Sequence, residues 1–420
     1  MNLHLPLGFR FAGWHAGIKK HPQKEDFTLV HCPAGATAAG VYTQNLIYAA
    51  PVAYDRGRTP SADIRVVAVN SGNANACTGE RGLRDCREMG RLAAAAVGVA
   101  ESQALVMSTG VIGVFLPMDK IAAGATAAAA RLADDEAAFL SAARGILTTD
   151  NGIKIASRSL TISGREVRLA GMCKGAGMIG PNMATMLAIV MTDAALTPAD
   201  AQAALAAAAD DSFNCISVEG HMSTNDTVLL LASGGQRSEV GGQRSEGTGD
   251  RGQETGDTTH HSPLTGSDLA LFQTALNELC IELARQIPDD GEGASHLITI
   301  EVQGARTRDD ARRIAQTIAN SALVKTAVAG ADPNWGRIVS AAGYAGVPLD
   351  PAGVGLVVNG HRLYADGAPV AIDAKTVSAA IRASRETSLV LTLREGSAGI
   401  RFWTSDLNVE YVRFNADYTT

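Results

Sequence analysis

The sequence has no uninterrupted hydrophobic run of membrane-spanning length and no excess of positive charge. The uncharged stretch 175–192 is broken by Gly180, Pro181 and Asn182, so we expect no segment that crosses a membrane. Lys and Arg number 36 against 43 Asp and Glu, which gives a net charge of −7 and excludes a broadly basic surface for nucleic acid or anionic lipid. We therefore expect small-molecule partners, with no nucleic acid and no membrane.

Closely spaced cysteine pairs are also missing. The six cysteines show no C-x-x-C spacing, which is typical of reduced, mostly buried thiols in a cytosolic protein and not of a disulfide framework or a metal site. The first residues lack a basic segment followed by a long apolar one, so we expect no signal peptide. The predicted location is cytoplasmic, with no metal.

What the chain does contain is enough hydrophobic material for two or more sizeable cores, since 46% of 420 residues are hydrophobic. Apolar runs separated by Gly, Pro and Asn predict a strand-rich region over residues 1–75, and longer periodic segments predict helices. The predicted helix 269–286 has an apolar face of Leu271, Ala275, Leu279 and Leu283. The remaining predicted elements are helices at 85–100, 118–147 (two, split near 134–135), 197–209, 308–319 and 332–342, and strands at 167–172, 186–192, 228–232 and through 354–415.

The stretch 174–194 carries the chemistry of greatest interest. It joins a lone cation, Lys174, to a glycine-rich bend and an apolar run in which Thr185 follows Ala184. Glycines allow backbone conformations that could bend a hydroxyl back onto the preceding carbonyl, a route to self-cleavage. Cleavage between Ala184 and Thr185 would create an N-terminal threonine whose α-amine, with a pKa of about 7.7–8.0, could act as base for its own hydroxyl.

Two simpler interpretations of this stretch stay open on the residues alone. Residues 175–180 fit G-x-G-x-x-G, the dinucleotide fingerprint, but Pro181 and Asn182 interrupt the chain where that fingerprint requires a helix. Thr185 could also be an ordinary β-former in a buried strand.

Two further polar segments could contribute to such a site. Residues 108–113, STGVIG, are either a turn or an oxyanion hole, in which a Thr hydroxyl and a Gly amide meet the charge that develops on a carbonyl oxygen. Residues 289–293, DDGEG, are either a solvated acidic turn or a site for an ammonium group. Lys174 could bind the carboxylate of the same amino acid and should then face the cleft.

Residues 234–262 differ from the rest of the chain. The string GGQRSE occurs twice, and almost no apolar residue is available for a core, so we expect a flexible surface insertion. His260 and His261 could bind a metal, although a loop histidine pair without other ligands is weak support for such a site.

Six strings together resemble the ornithine acetyltransferase family and occur in that family's order. They are GNANACTG (72–79), STGVIG (108–113), KGAGMIGPNMATML (174–187), DGEGAS (290–295), LVKTAVAGADPNWGRI (323–338) and the terminal VRFNADYTT. The resemblance implies a layered α/β fold of the type shared with self-processing aminopeptidases. It implies cleavage into residues 1–184 and 185–420, which stay assembled and form an α2β2 heterotetramer.

The family's activity, carried over by resemblance, is ping-pong transfer of acetyl from N-acetylornithine to glutamate through Thr185 in arginine biosynthesis. Acetyl-CoA is expected as a second acetyl donor, making the enzyme bifunctional, with no other cofactor. The resemblance implies the following roles: Thr185 as nucleophile, Thr109 and Gly110 as oxyanion hole, Ala184 and Thr185 as cleavage site, and Thr148, Lys174, Thr185, Glu292, Asn415 and Thr420 as substrate-binding residues.

The chain departs from the family's pattern at three places. Residues 151–154, His221 with Met222, and Ser295 with His296 stand where the family usually has other residues. His221 is more simply a loop histidine than a base, because the N-terminal amine fills that role. The alternatives to a bifunctional enzyme are a monofunctional ornithine acetyltransferase, a self-processing aminopeptidase or amidohydrolase, and a non-catalytic amino-acid-binding protein.

Overall fold

The computed structural model describes residues 3–21, 23–180, 186–235 and 262–417. The strands in this part of the chain are β1 (Arg10–Trp14), β2 (Phe27–Tyr42), β3 (Ser61–Asn73), β4 (Ala104–Val111), β5 (Lys154–Ile162), β6 (Arg165–Lys174), β7 (Leu187–Thr192), β8 (Ile216–Ser217), β9 (Thr227–Ala232), β10 (Leu297–Ala305), β11 (Gly355–Val358), β12 (His361–Ala365), β13 (Ala368–Pro369), β14 (Glu386–Thr392) and β15 (Ala398–Ser405). The helices are α1 (Ala50–Arg56), α2 (Gly79–Ala96), α3 (Met118–Ala129), α4 (Glu136–Gly145), α5 (Pro198–Asp211), α6 (Gly266–Asp289), α7 (Arg308–Asn320), α8 (Ala322–Ala329), α9 (Trp335–Gly343), α10 (Ala374–Arg382) and α11 (Val409–Asp417).

The first sheet is mixed and has the strand order β4-β3-β2-β9-β7-β6-β5, with β1 paired to β2. The strand β7 lies inside this sheet, between β9 and β6, and is buried along its whole length, as a continuous apolar run covered on both faces should be. Lys174 at the end of β6 pairs with Leu187 at the start of β7, which in turn pairs with Thr227 at the start of β9. Three functional segments therefore meet at one end of the sheet.

The second sheet has the order β13-β12-β11-β14-β10-β15-β8 and contains only residues that follow position 215. Helix α6 contacts β5 and β6 of the first sheet as well as β15 of the second, and α5 packs on α6 and β2. One hydrophobic cluster, which includes Leu279 and Phe402, runs through both sheets. The protein is therefore α/β and layered, which confirms the predicted fold class.

Local sequence signals explain many element boundaries. Helix α5 begins at Pro198 because the Thr197 side chain caps it and accepts a hydrogen bond from the Asp200 N–H, 3.1 Å. The strand β7 follows the glycine bend where a dinucleotide fold would have a helix, so the G-x-G-x-x-G alternative is wrong.

The structure corrects four of the sequence predictions. The strand-rich prediction for 1–75 missed α1, and α8 was also missed. Residues 354–415 include α10 and the start of α11, so Asn415 lies on a helix. In α6, Ala275, Leu279 and Leu283 are buried as predicted, but Leu271 is 52% exposed and its neighbour Phe272 is buried instead.

Within the described ranges, none of the helices combines the length and hydrophobicity that a bilayer crossing requires. All six cysteines are free thiols, and five of them are buried.

Candidate active site

A pocket of about 120 Å³ brings together six of the predicted site residues. These are Thr109, Gly110, Thr148, Lys174, Glu292 and Asn415, which come from five separate segments of the chain. Three larger surface grooves, of 330 to 450 Å³, contain none of the predicted residues. The small pocket is therefore the candidate active site, chosen by its chemistry and not by its size.

The end of β4 places Thr109 and Gly110 in this pocket. Gly110 has φ +129°, and a Cβ at this position would lie 2.3 Å from the backbone carbon of Gly72 on the neighbouring strand. Only glycine fits so close an approach in this conformation. Thr109 is 2% exposed, and its hydroxyl oxygen accepts a hydrogen bond from Lys174 Nζ, 3.2 Å. The hydroxyl proton remains available to donate to a carbonyl oxygen in the pocket.

Lys174, at the end of β6, is 2% exposed, a rare environment for a lysine. Burial lowers the pKa of its ammonium group, while the carboxylates of Asp150, Asp226 and Glu292 partly oppose that effect. Lys174 lines the pocket as expected of a residue that faces the cleft. It is therefore a cation held near the pocket by surrounding acids.

Glu292 is fixed in position from three sides. Its Oε1 accepts from the Thr149 hydroxyl, 2.8 Å, and its Oε2 accepts from Asn415 Nδ2, 3.1 Å. Its own N–H donates to the Ala176 carbonyl, 2.9 Å. A Cβ at Gly177 would lie 2.4 Å from the Glu292 carboxyl group, so a larger residue at this position would displace that carboxyl group. The sequence identified Thr148 but missed Thr149, the threonine that holds the glutamate.

A buried group of charges stands behind the pocket, which we call the ionic cluster: Asp150, Lys154 and Asp290. Lys154 Nζ lies 2.7 Å from Asp150 Oδ1 and 2.5 Å from Asp290 Oδ2. Burial alone would raise the pKa of Asp150, but the ammonium groups of Lys154 and Lys174 hold it well below its usual range. Burial would lower the pKa of Lys154, and the two carboxylates more than compensate and raise it.

The ionic cluster organises the adjacent backbone. Asp150 accepts from the N–H groups of Gly175, 2.7 Å, and Thr148, 3.0 Å. Asn151, one of the departures from the family pattern, donates to Asp290 from its backbone N–H, 3.0 Å, and its side-chain amide, 2.9 Å. The unusual loop is thus tied to the acidic segment that carries Glu292.

The other two departures do not line the pocket. Ser295 and His296 direct their N–H groups to Asp406 Oδ1, at 2.8 and 3.1 Å. His221 is an exposed loop residue, and the Met222 carbonyl accepts from Asn45 Nδ2, 3.2 Å. None of these four residues lines the pocket that contains Glu292.

Ala184, Thr185 and Thr420 lie outside the described residues, as do His260, His261 and all but the ends of the 234–262 segment. Helix α11 has no buried residue over Val409–Asp417, yet Asn415 contacts Glu292. Met186, which follows Thr185 in the sequence, is within the described residues, and its N–H donates to Asp226 Oδ1, 2.9 Å.

Two buried carboxyl groups escaped the sequence analysis, Glu219 and Asp226, both on the segment 217–227, here called the carboxyl loop. Burial raises the pKa of Glu219 to about 8 and the pKa of Asp226 well above its ordinary value. The polar run STNDT directly before an apolar strand was the available signal in the sequence.

Comparison with known proteins identifies the family. The ArgJ family profile matches residues 10–420. The arginine biosynthesis bifunctional protein ArgJ of Rhodopirellula baltica is 46% identical over 99% of this chain and 96% of its own, and that of Symbiobacterium thermophilum is 45% identical over 99% and 98%. A crystal structure of the Bacillus halodurans protein of the same name aligns with 34% identity over 55% of this chain and 98% of its own, at TM-score 0.48. The chain belongs to the ArgJ family, which confirms the resemblance found in the sequence.

Proposed function

We propose that this protein transfers acetyl from N-acetylornithine to glutamate in arginine biosynthesis, through an acetyl ester on Thr185. The observation that carries this proposal is the pocket itself. It combines an oxyanion pair, Thr109 and Gly110, with a buried cation, Lys174, and a fixed carboxylate, Glu292. Membership of a family whose relatives are named for bifunctional arginine biosynthesis supports the same conclusion.

The opposite charges suit a free amino acid. Glu292 would hold an ammonium group, because both its oxygens are fixed by neutral donors that leave its charge unpaired. Lys174 would attract the carboxylate of the same molecule. Thr148, Asn415 and Thr420 complete the proposed substrate site, and an N-acetylated amino acid would direct its acetyl carbonyl towards Thr109 and Gly110.

The nucleophile arises by cleavage into residues 1–184 and 185–420. In the proposed step the Thr185 hydroxyl oxygen bonds to the Ala184 carbonyl carbon, the C–N bond breaks, and the hydroxyl proton ends on the freed Thr185 amine. Water then hydrolyses the ester and leaves a carboxyl group on Ala184. The pairing of β6 with β7 supports this proposal. Lys174 pairs with Leu187, and Leu187 follows Thr185 by only two residues in the sequence.

In transfer, the Thr185 amine takes the hydroxyl proton as the oxygen attacks the acetyl carbonyl, and Thr109 and Gly110 meet the negative charge that develops. The C–N bond of the acetyl amide then breaks, the proton passes from the Thr185 amine to the ornithine nitrogen, and ornithine leaves. Glutamate binds next, its amine attacks the acetyl ester, and the proton that this amine loses returns to the Thr185 oxygen, so the mechanism is ping-pong. We further propose that acetyl-CoA can load the same threonine, and that the cleaved chains assemble as an α2β2 heterotetramer.

The test is the intact mass of purified protein under denaturing conditions. Wild type should give two fragments that meet at Ala184 and Thr185, and N-acetylornithine without glutamate should add one acetyl group to the second fragment. Thr185→Ala should stay as one chain and transfer nothing, because the hydroxyl is lost.

Thr185→Ser is the matched control, since it retains a hydroxyl and should still cleave. A single uncut chain in active wild-type protein would contradict the mechanism. Acetyl transferred to water and not to glutamate would point to the aminopeptidase or amidohydrolase alternative.

A further inference from the structure

The carboxyl loop holds the backbone on both sides of the five residues 181–185. Before them, Glu219 Oε1 accepts a hydrogen bond from the Ile179 N–H, 2.5 Å. After them, Asp226 Oδ1 accepts from the Met186 N–H, 2.9 Å. Two carboxyl groups of one loop, seven positions apart in the sequence, therefore fix the two ends of the segment that contains the Ala184–Thr185 bond.

The same loop also binds the carbonyl groups of these two residues. The Ile179 carbonyl accepts from the N–H groups of Val218, 2.9 Å, and Gly220, 3.0 Å, and the Met186 carbonyl accepts from the Thr227 N–H, 3.2 Å. The approach is close, because a Cβ on Gly180 would lie 2.6 Å from the backbone carbon of Gly220. Both ends are thus held through N–H and C=O alike.

The two carboxyl groups also share a second, buried oxygen. Glu219 Oε2 and Asp226 Oδ2 are buried, and neither has a hydrogen-bond partner among the described residues. Each acid therefore directs one oxygen to the backbone N–H of residue 179 or 186 and leaves its other oxygen without a partner in the described part of the chain.

The groups near these carboxyls do not outweigh the effect of burial on their pKa values. Lys174 and the hydroxyls of Thr43 and Ser223 lie near Asp226, yet burial still raises the pKa of Asp226. Lys325 and Glu292 are the charged groups near Glu219, and Lys325 Nζ is hydrogen-bonded to the Val218 carbonyl and to Thr404 Oγ1, 3.0 Å. Lys325 therefore holds the carboxyl loop at Val218, while Glu219 and Asp226 accept hydrogen bonds from backbone N–H groups.

We propose that Glu219 and Asp226 are positioning residues for self-cleavage, which hold residues 179 and 186 so that the Thr185 hydroxyl reaches the Ala184 carbonyl carbon. The inference rests on the cleavage proposed above, and neither carboxyl is a reactant. Attack requires the two atoms within about 3–3.5 Å, and a displacement of 1 Å can slow a reaction by about a hundredfold. Fixing both ends of a short segment is a direct way to reach that geometry.

The test measures the rate of cleavage in cell-free synthesis, followed on denaturing gels, with thermal melting of each variant as the check of folding. Asp226→Ala and Glu219→Ala remove the acceptors, and each should slow cleavage by about tenfold or more, which corresponds to ~1.4 kcal/mol. Asp226→Asn and Glu219→Gln retain an acceptor oxygen of the same shape and should cleave within about threefold of wild type.

Asp193→Ala is the matched control. Asp193 follows the far end of β7, is also buried, and accepts from the N–H groups of Arg168, 2.7 Å, and Leu7, 3.1 Å. Its loss should lower the melting temperature as Asp226→Ala does, but leave the cleavage rate unchanged.

The outcomes separate this inference from the proposed function. An uncut wild type would overturn both. A cut wild type with Ala variants that cleave at the same rate would overturn the positioning role alone, as would equal slowing by Asp193→Ala or failure of the Asn and Gln variants to restore cleavage. If Asp226→Ala does not fold, Glu219→Ala and the two amide variants still decide the question.

Discussion

Two groups of acids beside the pocket, the ionic cluster and the carboxyl loop, here called the two walls, bury their carboxyl groups in opposite ways. In the ionic cluster, Asp150 contacts the Lys154 ammonium and stays ionised, with its pKa held low. In the carboxyl loop, Asp226 is just as deeply buried but has no cation in contact, and burial raises its pKa. Burial therefore raises the pKa of an acid here and favours its neutral form, and a cation in direct contact reverses the direction of that shift.

The contrast assigns different work to each wall. The ionic cluster places the Asp150 carboxylate next to Lys174 and Gly175. In the carboxyl loop, burial favours the neutral forms of Glu219 and Asp226. Among the acids that raise the pKa of Lys174, Asp150 has the largest effect, whereas Lys154 lowers that pKa.

The largest expected difference between the two walls is in the free energy of unfolding when one Asp on each wall is changed to Asn. Asp150→Asn breaks a buried ion pair and should reduce the free energy of unfolding by about 3–5 kcal/mol. Asp226→Asn should cost about 1 kcal/mol or less, because the neutral amide still accepts from Met186. Urea denaturation at pH 7 and one protein concentration measures both, and equal losses would remove the distinction between the walls.

The next effect is a pH dependence of opposite sign for the two acids. The pKa of Asp150 is depressed on folding, so its stabilisation is present above the unfolded value of about 3.9 and is lost as pH falls below it. The pKa of Asp226 is raised on folding, so the native state binds the extra proton and loses stability as pH rises above about 4.

Two comparisons of unfolding free energy across pH test this sign. The deficit of Asp150→Asn relative to wild type should shrink as pH is lowered through about 4. The free energy of unfolding of Asp226→Asn should increase relative to that of wild type as pH rises from about 4 to 8, by at most ~1.4 kcal/mol per pH unit. Curves that run parallel to wild type would show that neither carboxyl titrates differently in the folded state.

The smallest effect should come from a segment outside both walls. We propose that the low-complexity stretch is a passive insertion. Gly234 and Leu264 hydrogen-bond to the adjacent carbonyls of Ala194 and Ala195, so the chain leaves and returns at nearly one point. Replacing residues 236–261 with a short Gly/Ser linker should change stability by about 0.6 kcal/mol per halving of loop length. Cleavage and acetyl transfer should persist, and their loss would show that the segment contacts the site or another subunit.

Sequence reasoning succeeded where the signal is local or carried by a motif. The strand β7, the helix α5 with its Thr197 cap, and the residues at 109, 110, 148, 174, 292 and 415 were all available from short strings, and the structure places these six residues in one pocket. It failed where the partners are distant. The contact between Lys154 and Asp290 joins residues 136 positions apart, which no local pattern encodes.

The missed helices have a simpler cause. Helix α1 has only seven residues, shorter than the window over which periodicity is measurable, and it follows an apolar segment that is typical of a strand. In α11 the residues Val409, Tyr411, Val412 and Phe414 have high strand propensity, yet the segment is helical and Val409 and Val412 are largely exposed.

The order of strands in the first sheet has a genetic consequence. Strands β9 and β7, from the proposed second fragment, lie between β2 and β6 from the first. Once the bond is cut, the fragments cannot exchange between molecules without unfolding the sheet. An allele defective in residues 1–184 and another defective in residues 185–420, expressed in one cell, should therefore fail to complement each other through re-paired fragments. If the proposed cleavage occurs, the two polypeptides of one sheet therefore behave as a single genetic unit.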